Sequence, residues 1–384
     1  MKTLFFVLIL ALVTFNQSNL EATNRCSCAC LQEAAEEKKP SNFSSIDSTE
    51  IQKLLQKEVD NQYFSGTVLI AEKGKTVYHQ SYGNAYEQGE AKIKLDTKFS
   101  IASITKMFTA IVVLQFVQEG KLSLEDSLEE LLPNLSIPDG NKITVHHLLL
   151  HISGLPNEKN KIYHQAVSPV DFVNQTLKNK QKTAINSFNY NNLDYVLLGL
   201  IVEEKTGESW RKNIEERILK VLKMKDTGFL AYGNYPKNFA YTYQVSKKGK
   251  FTQDPFFYIE NFYAAGSMYS TAKDLLLLDQ ALYGENLLGE QMKIKMAESY
   301  PKFNYVGYGV WNYRYPFLDA QPTIMERRGG ILGANVVLVR LTDTNQTIVI
   351  LSNNSRFNPD SFGDASNLRE ALIRKLADAP ENRE

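Results

Sequence analysis

The sequence predicts an α+β fold in which an antiparallel sheet flanked by helices draws on both ends of the chain and is interrupted by a mostly helical region. Three observations predict it. Near the N-terminal end, "FSGTVLIAEKGKTVYHQSYGNA" reads as two short strands joined by a tight turn at Lys73 and Gly74. Toward the C-terminus, "VGYGVWNYRY", "TIMERRGG", "ANVVLVRLTD" and "QTIVILSNN" again look like strands with turn residues between them. Between Phe99 and about residue 260 the patterns are instead mostly helical, with loops rich in Pro, Asn and Gly. Early and late strands around a helical insertion fit that order.

Taken in order, the chain begins with "MKTLFFVLILALVTFNQSNLEA", one lysine followed by an apolar core and then polar residues, the layout of a secretory signal peptide over 1–22. The apolar core is shorter than a membrane span. Export is therefore expected, to a periplasm or to the outside of the cell. Residues 23–46 are charged and polar without apolar periodicity and read as a flexible linker. All three cysteines, Cys26, Cys28 and Cys30, fall there in "CSCAC", so the folded body uses no disulfide. Lipidation of Cys26 is the one route to a membrane anchor, and Arg25 argues against it, because a small residue normally precedes a lipidated cysteine. One domain is expected over 47–376, with an α/β part over about 47–100 plus 262–376 and a helical part over about 101–261. It opens with a helix at "STEIQKLLQKEVDNQ" and closes with one around "DASNLREALIRKLADA".

Bulk properties narrow the function. The 384 residues are 43% hydrophobic and 22% charged, an ordinary globular composition. Lys+Arg and Asp+Glu are both 43, so no global field favours nucleic acid or an anionic membrane. A small-molecule ligand is expected.

Chemistry enters at "FSIASITKMFTAIVVLQF", where Ser103 and Lys106 stand one helical turn apart at the start of an apolar run. Ser-x-x-Lys alone is weak, since roughly one or two matches arise by chance in a chain this long. This chain holds four, beginning at Ser103, Ser209, Ser270 and Ser299. Their surroundings separate them. "SYPK" has a proline before its lysine and reads as loop. Ser209, in "EEKTGESWRKNIEERILKVL", reads as the cap of a charged surface helix. In "MYSTAKDLLLLDQAL", Ser270 or Thr271 caps a helix and Asp274 completes a capping box with Thr271. Only Ser103 opens an apolar helix, which runs to the C-terminal signal at Gly120. Orphan N–H groups at such an end favour an alkoxide, and desolvation lowers a lysine's pKa toward that of a useful base. A capping serine beside a snorkelling lysine is the competing reading of this stretch alone.

Two further elements follow. In "FNYNNLDYVLLGLIVEEKTG", Tyr190 and Asn192 precede another apolar helix, and "ERRGGILGANVVLV" places Arg327 and Arg328 before Gly329, Gly330 and a strand. Each taken alone is an ordinary loop or strand edge. In this order and spacing the three resemble the serine β-lactamase and penicillin-binding protein family, in its class C, esterase and D-peptidase branch, which carries Ser-x-x-Lys, Tyr-x-Asn and a Lys-Thr-Gly or His-x-Gly strand. "KITVHHLLLHISGLP", "GKLSLEDSLEELLP", "YAAGSMYSTAKDL" and the hairpin from Gly66 to Gly83 extend the resemblance over about 48–375.

The resemblance implies a β-lactamase-like fold and an acyl-enzyme mechanism without a cofactor or metal. Ser103 would be the nucleophile, and Lys106 and Tyr190 would share the general-base work, with Tyr190 returning a proton to the leaving group. Asn192 would bond Lys106 and the substrate. The N–H groups of Ser103 and Gly330 would form the oxyanion hole, with Gly329 and Gly330 letting substrate lie close to the strand. Arg327 departs from the pattern, standing where the family has Lys or His. It keeps a positive charge that could anchor a substrate carboxylate, yet it cannot act as a base at neutral pH, which puts efficient β-lactam hydrolysis in doubt. Strand alternation allows only one of Arg327 and Arg328 to face the cleft.

His146, His147 and His151 read as structural, on a helix whose His147 and His151 share a face. The expected function is that of an exported serine hydrolase acting on an ester, an amide or a D-amino-acid peptide. The alternative is a catalytically reduced binding or sensor module that keeps the fold. An α/β-hydrolase is excluded by the lack of a Gly-x-Ser-x-Gly elbow.

Overall fold

A six-stranded antiparallel sheet carries the structure, a computed structural model that describes residues 47–87, 91–180 and 183–378. The expected leader, the linker and the cysteine cluster lie outside the described residues.

Helix α1, Ser48–Asp60, starts where Asp47 accepts from the Thr49 and Glu50 amides, and it buries Ile51 and Leu55. Strands β1, Gly66–Glu72, and β2, Lys75–Tyr82, form the expected hairpin. Its turn is tight because Lys73 and Gly74 both take positive φ, +47° and +76°, which matches the twist of the strands. Helix α2, Thr105–Gln118, is buried along nearly its whole length, as its apolar sequence requires. Helix α3, Leu193–Thr206, is equally enclosed and ends at Gly207 with φ +67°. Helix α4, Ala272–Ala281, precedes strands β3, Trp311–Arg314, β4, Thr323–Ile331, β5, Ala334–Leu341, and β6, Gln346–Ser352, and helix α5, Leu368–Ala377, closes the fold.

The strand order is β3-β4-β5-β6-β1-β2, so the first and last thirds of the chain meet at the β6–β1 pair. Both faces of the sheet are covered, which is why "QTIVILS" reads as a continuous apolar run rather than an alternation. Leu69, Val336, Leu338, Val349 and Leu351 point toward the core of α2 and α3. Val68, Ile70, Val337, Val339, Ile348 and Ile350 join α1 and α5.

Local expectations differ from the structure at four places. Of "VGYGVWNYRY" only Trp311–Arg314 is strand, because the segment before it is folded against α2. There Gly309, at φ +77°, lies so close that a Cβ would stand 3.0 Å from the Ala110 Cβ. His147 and His151 do not share a helical face. The helix is only Val145–Leu149, and His151 lies beyond it in the left-handed region with φ +58°. Thr271 caps α4, but Asp274 does not return the contact, because its carboxylate accepts from the Asp226 amide and the Thr227 hydroxyl. The mostly helical stretch also contains a small hairpin, Tyr243–Val245 with Phe251–Gln253.

One buried charge cluster ties β4 to α5. Glu326 accepts from Arg369 through Nε at 2.9 Å and Nη2 at 2.6 Å, from Arg328 Nε at 2.9 Å and from the Tyr313 hydroxyl at 2.8 Å. Burial alone would raise its pKa, but the two guanidiniums outweigh burial and hold it at about 2. A carboxyl depressed in the folded state stabilises above its unfolded pKa near 4.5 and loses that contribution as pH falls toward 2. Glu326→Gln, which leaves Arg369 and Arg328 short of their counter-charge, is expected to cost about 3–5 kcal/mol in urea unfolding at pH 7. A cost under about 1 kcal/mol would show that the cluster is not the β4–α5 clamp.

Candidate active site

The site begins where a short strand becomes α2. Phe99–Ser100 pairs with Met268–Ser270, which fixes the chain just before the turn. Ala102 then takes φ +43°, uncommon for a residue with a side chain, and Ser103 follows in the single turn Ala102–Ile104. From Ile101 to Phe116, Ser103 is the one residue that is not buried. Lys106, one turn on, is completely enclosed.

The Lys106 Nζ has three acceptors: Ser103 Oγ at 3.3 Å, Asn192 Oδ1 at 2.7 Å and the Ala265 carbonyl at 2.8 Å. Burial pushes its pKa down to about 8, against the opposing pull of Tyr190 and with the help of the Arg327 charge. The Ala265 carbonyl is placed by a strained turn, with Tyr263 at φ +43° and ψ −125°. Next to it the Ala264 carbonyl accepts from Thr109 of α2 at 2.8 Å, so the turn is locked to the helix that carries Lys106.

Tyr190 and Asn192 reach the same point from the loop that starts α3. The Tyr190 Oη lies 2.9 Å from Ser103 Oγ and accepts from Arg327 Nη2 at 2.7 Å. Burial would raise the phenol's pKa, but the Arg327 and Lys106 charges outweigh it and hold Tyr190 below its ordinary value. Asn192 is held from behind, its Nδ2 donating to Glu158 Oε1 at 2.7 Å, which turns its Oδ1 toward Lys106. Glu158 Oε1 also accepts from the Tyr163 hydroxyl at 2.7 Å.

Strand register decides between the arginines. Arg327 shares its face with Met325, toward the helical core, whereas Arg328 shares the face of Glu326 and Ile324, toward α5. Arg327 Nε donates to the Ser103 carbonyl at 2.8 Å, and its guanidinium lies 4.7 Å from the centre of the Trp311 ring and 5.3 Å from that of Tyr190. Its exposure is 0%. The guanidinium named as a candidate carboxylate anchor thus sits behind the phenol, with Nε and Nη2 bonded to the site itself. Gly329 lies against the serine turn, where a Cβ would stand 3.0 Å from the Ser103 amide nitrogen and 2.7 Å from the Ile101 carbonyl. Gly330, beside it, is exposed. The pairing of β3 with β4 ends at Trp311 and Glu326, so the β4 edge from Arg327 onward has no strand partner on that side among the described residues.

Sequence reasoning missed several participants. Glu158 lies in "LPNEKN", a stretch that reads as solvated loop, and only the fold brings it to Asn192. The Ala265 carbonyl is a backbone group without a sequence signal. His151, buried beside Asp194, packs its ring 4.4 Å from that of Tyr190. Burial lowers the His151 pKa and raises that of Asp194. Trp311, stacked near Tyr190 with ring centres 6.1 Å apart, has only a strand pattern in the sequence.

The family model for β-lactamases matches residues 51–373. Among curated proteins, penicillin-binding protein 4* of Bacillus subtilis is 28% identical over 325 residues, covering 79% of this chain and 71% of that protein. A teichoic acid D-alanine hydrolase of Staphylococcus aureus is 28% identical over 315 residues, covering 80% and 74%. Among solved structures, a penicillin-binding protein from Bacillus halodurans superposes with a TM-score of 0.70 at 25% identity, covering 85% of this chain and 98% of that one. The D-amino acid amidase of Ochrobactrum anthropi has the same fold, with a TM-score of 0.73 at 22% identity, covering 87% and 98%. With a serine, a lysine and a tyrosine within hydrogen-bond reach of one another beside an open strand edge, and a family match over most of its length, this chain belongs to the β-lactamase family and is a serine hydrolase.

Proposed function

We propose that this hydrolase acylates Ser103 with an ester or amide of a D-amino acid, D-alanyl esters foremost, and releases the acid by hydrolysis. The observation that carries this reading is the position of Ser103 Oγ, 2.9 Å from a phenol held below its ordinary pKa and 3.3 Å from a lysine held at about 8. Two relatives add the substrate class, through their names as a teichoic acid D-alanine hydrolase and a D-stereospecific amidohydrolase of Streptomyces.

In this reading Ser103 Oγ attacks the carbonyl carbon and its proton passes to the Tyr190–Lys106 pair. The carbonyl oxygen becomes an oxyanion, met by the N–H groups of Ser103 and Gly330, and losing one such donor costs about 2.7–4 kcal/mol of transition-state stabilisation. Tyr190 hands the proton to the departing oxygen or nitrogen. Water then repeats the sequence on the acyl-enzyme, releasing the acid and restoring Ser103. Arg327 keeps the phenol's proton loose. Esters need less protonation of the leaving group than amides, so they are the better substrates. The binding-module alternative has no support from this geometry, since Ser103, Lys106, Tyr190 and Asn192 are all in bonding positions. Export, through the N-terminal 1–22 segment, is part of the proposal.

Intact-mass analysis after a fluorophosphonate tests the nucleophile. Wild type is expected to gain one probe mass and to hydrolyse D-alanine methyl ester, with Ser103→Ala losing the label and at least about 10³-fold in kcat. Labelling that persists in Ser103→Ala contradicts the assignment.

The pH profile tests the base. With Lys106 held at about 8, kcat/KM is expected to climb as pH rises through that value. The Arg327 charge lowers both Lys106 and Tyr190, so Arg327→Gln moves the climb to higher pH and lowers kcat/KM by roughly 10²-fold. The Glu158 charge favours the ammonium form of Lys106, so Glu158→Gln moves it the other way. Shifts of the same sign in both variants would refute the electrostatic account.

Export predicts that protein recovered from the medium or periplasm of the producing cell has lost about 22 residues, read by N-terminal mass analysis. An intact N-terminus on exported protein would remove the signal-peptide reading.

A further inference from the structure

Beside the catalytic phenol lies a cavity of about 500 Å³ that the reaction as derived does not use. That volume is in the range of small-molecule sites. Its walls are Phe188, Tyr190, Tyr305, Trp311, Tyr313 and Phe362, drawn from four separate stretches of the chain. Arg314 and Arg328 also line it, and no carboxylate does among the described residues. Both arginines are already paired, Arg314 with Asp343 and Arg328 with Glu326 and Asp360, so the cavity has polar edges and an aromatic interior.

Two features mark it as built rather than incidental. Tyr305 and Phe362, 49% and 48% exposed, both line it and add their aromatic side chains to those of Trp311 and Tyr313. The backbone that presents Tyr305 is strained, with consecutive left-handed residues at Asn304, φ +57°, and Tyr305, φ +60°, neither of them glycine. Trp311 forms the firm wall, its plane within 27° of the Tyr190 ring and the Arg327 guanidinium 4.7 Å from its centre.

We infer that this cavity is the leaving-group subsite and that it takes a flat, uncharged ring carried by the departing alcohol or amine. The inference rests on the hydrolase reading above. The atom that leaves must come within hydrogen-bond reach of Tyr190 Oη to receive its proton, and the Tyr190 ring is itself a wall of the cavity. The rest of the leaving group extends along that ring toward Trp311. The acyl part lies on the other side of Ser103, along Gly329 and Gly330. A cationic ring finds no carboxylate among the described lining residues to pair with, whereas the faces of Trp311, Tyr305 and Phe362 suit the face of an aryl or a sugar ring.

Benzyl and methyl esters of D-alanine test this, because their alcohols are closely matched in acidity and differ in the ring. Wild type is expected to favour the benzyl ester in kcat/KM by about 5- to 30-fold, and the Tyr305→Ala, Phe362→Ala double variant to reduce that preference by about 3- to 10-fold. A wild-type ratio near one, or a ratio unchanged in the double variant, overturns the inference. A glucoside ester of D-alanine preferred over its methyl ester would assign the ring as a sugar, and benzyl preference alone would assign it as aryl. A second measurement needs no turnover. In Ser103→Ala, 4-nitrobenzyl alcohol is expected to quench tryptophan emission saturably through Trp311, the other tryptophan, Trp210, being buried in the core. Quenching that does not saturate, or that saturates equally in the double variant, overturns the ring site. Saturable quenching in a protein that hydrolyses no ester leaves the ring site standing and removes the hydrolase reading instead.

Discussion

Lys106 brings an amine into the protein interior with all three of its donors committed, to Ser103, Asn192 and the Ala265 carbonyl, and the rest of the site is arranged around that constraint. An enclosed lysine is tolerated only if it is paired or neutral. The fold supplies both remedies in part: acceptors on three sides, and a desolvated setting that brings the pKa to about 8. Each acceptor comes from a different region, so α2, the loop before α3 and the strained turn at Tyr263 must dock together before the amine is satisfied. Assembly of the fold and assembly of the catalytic group are in that sense one event.

The second constraint is a fixed cation. Arg327 spans the phenol and the serine carbonyl, bonding Tyr190 Oη and Ser103 O with separate nitrogens. A lysine or histidine at this position could make one of those contacts and could also lose its charge. A guanidinium makes both and stays charged, at the cost of a buried Nη1 without a hydrogen-bond partner. Packing over Trp311 offsets part of that cost through the ring's quadrupole. The site therefore holds a permanent charge beside Tyr190 rather than a titratable one. The same packing makes Trp311 a wall shared between the catalytic group and the neighbouring aromatic cavity.

Much of this was legible in the sequence because it rests on periodicity. The runs "QTIVILS" and "ANVVLVRL" are strands because both sheet faces are buried, and Ser103 stands out from three other Ser-x-x-Lys matches because it alone opens an enclosed helix. Strand alternation limited the cleft to one arginine, and the register, with Met325 on the helical side, decided for Arg327. What escaped depends on long-range placement. Glu158 looks like any solvated loop residue until Asn192 is set against it, and His151 leaves its helix because its backbone turns left-handed, which periodicity does not register. The aromatic cavity joins residues more than 170 positions apart, from Phe188 to Phe362, with no common pattern. For Arg327 the residue type carries the fixed charge, whereas its enclosure between Tyr190 and Trp311 is a property of the fold.

The central claim is that the Arg327 guanidinium makes Tyr190 an unusually acidic phenol inside a buried site. Carbon-13 NMR of ring-labelled tyrosine, with the Tyr190 signal assigned by its loss in Tyr190→Phe, measures this directly. The account predicts that Tyr190 ionises below the ordinary tyrosine value of about 10 and moves upward in Arg327→Gln. A Tyr190 signal that titrates at or above that value in the wild type, or that does not move when the guanidinium is removed, would contradict it.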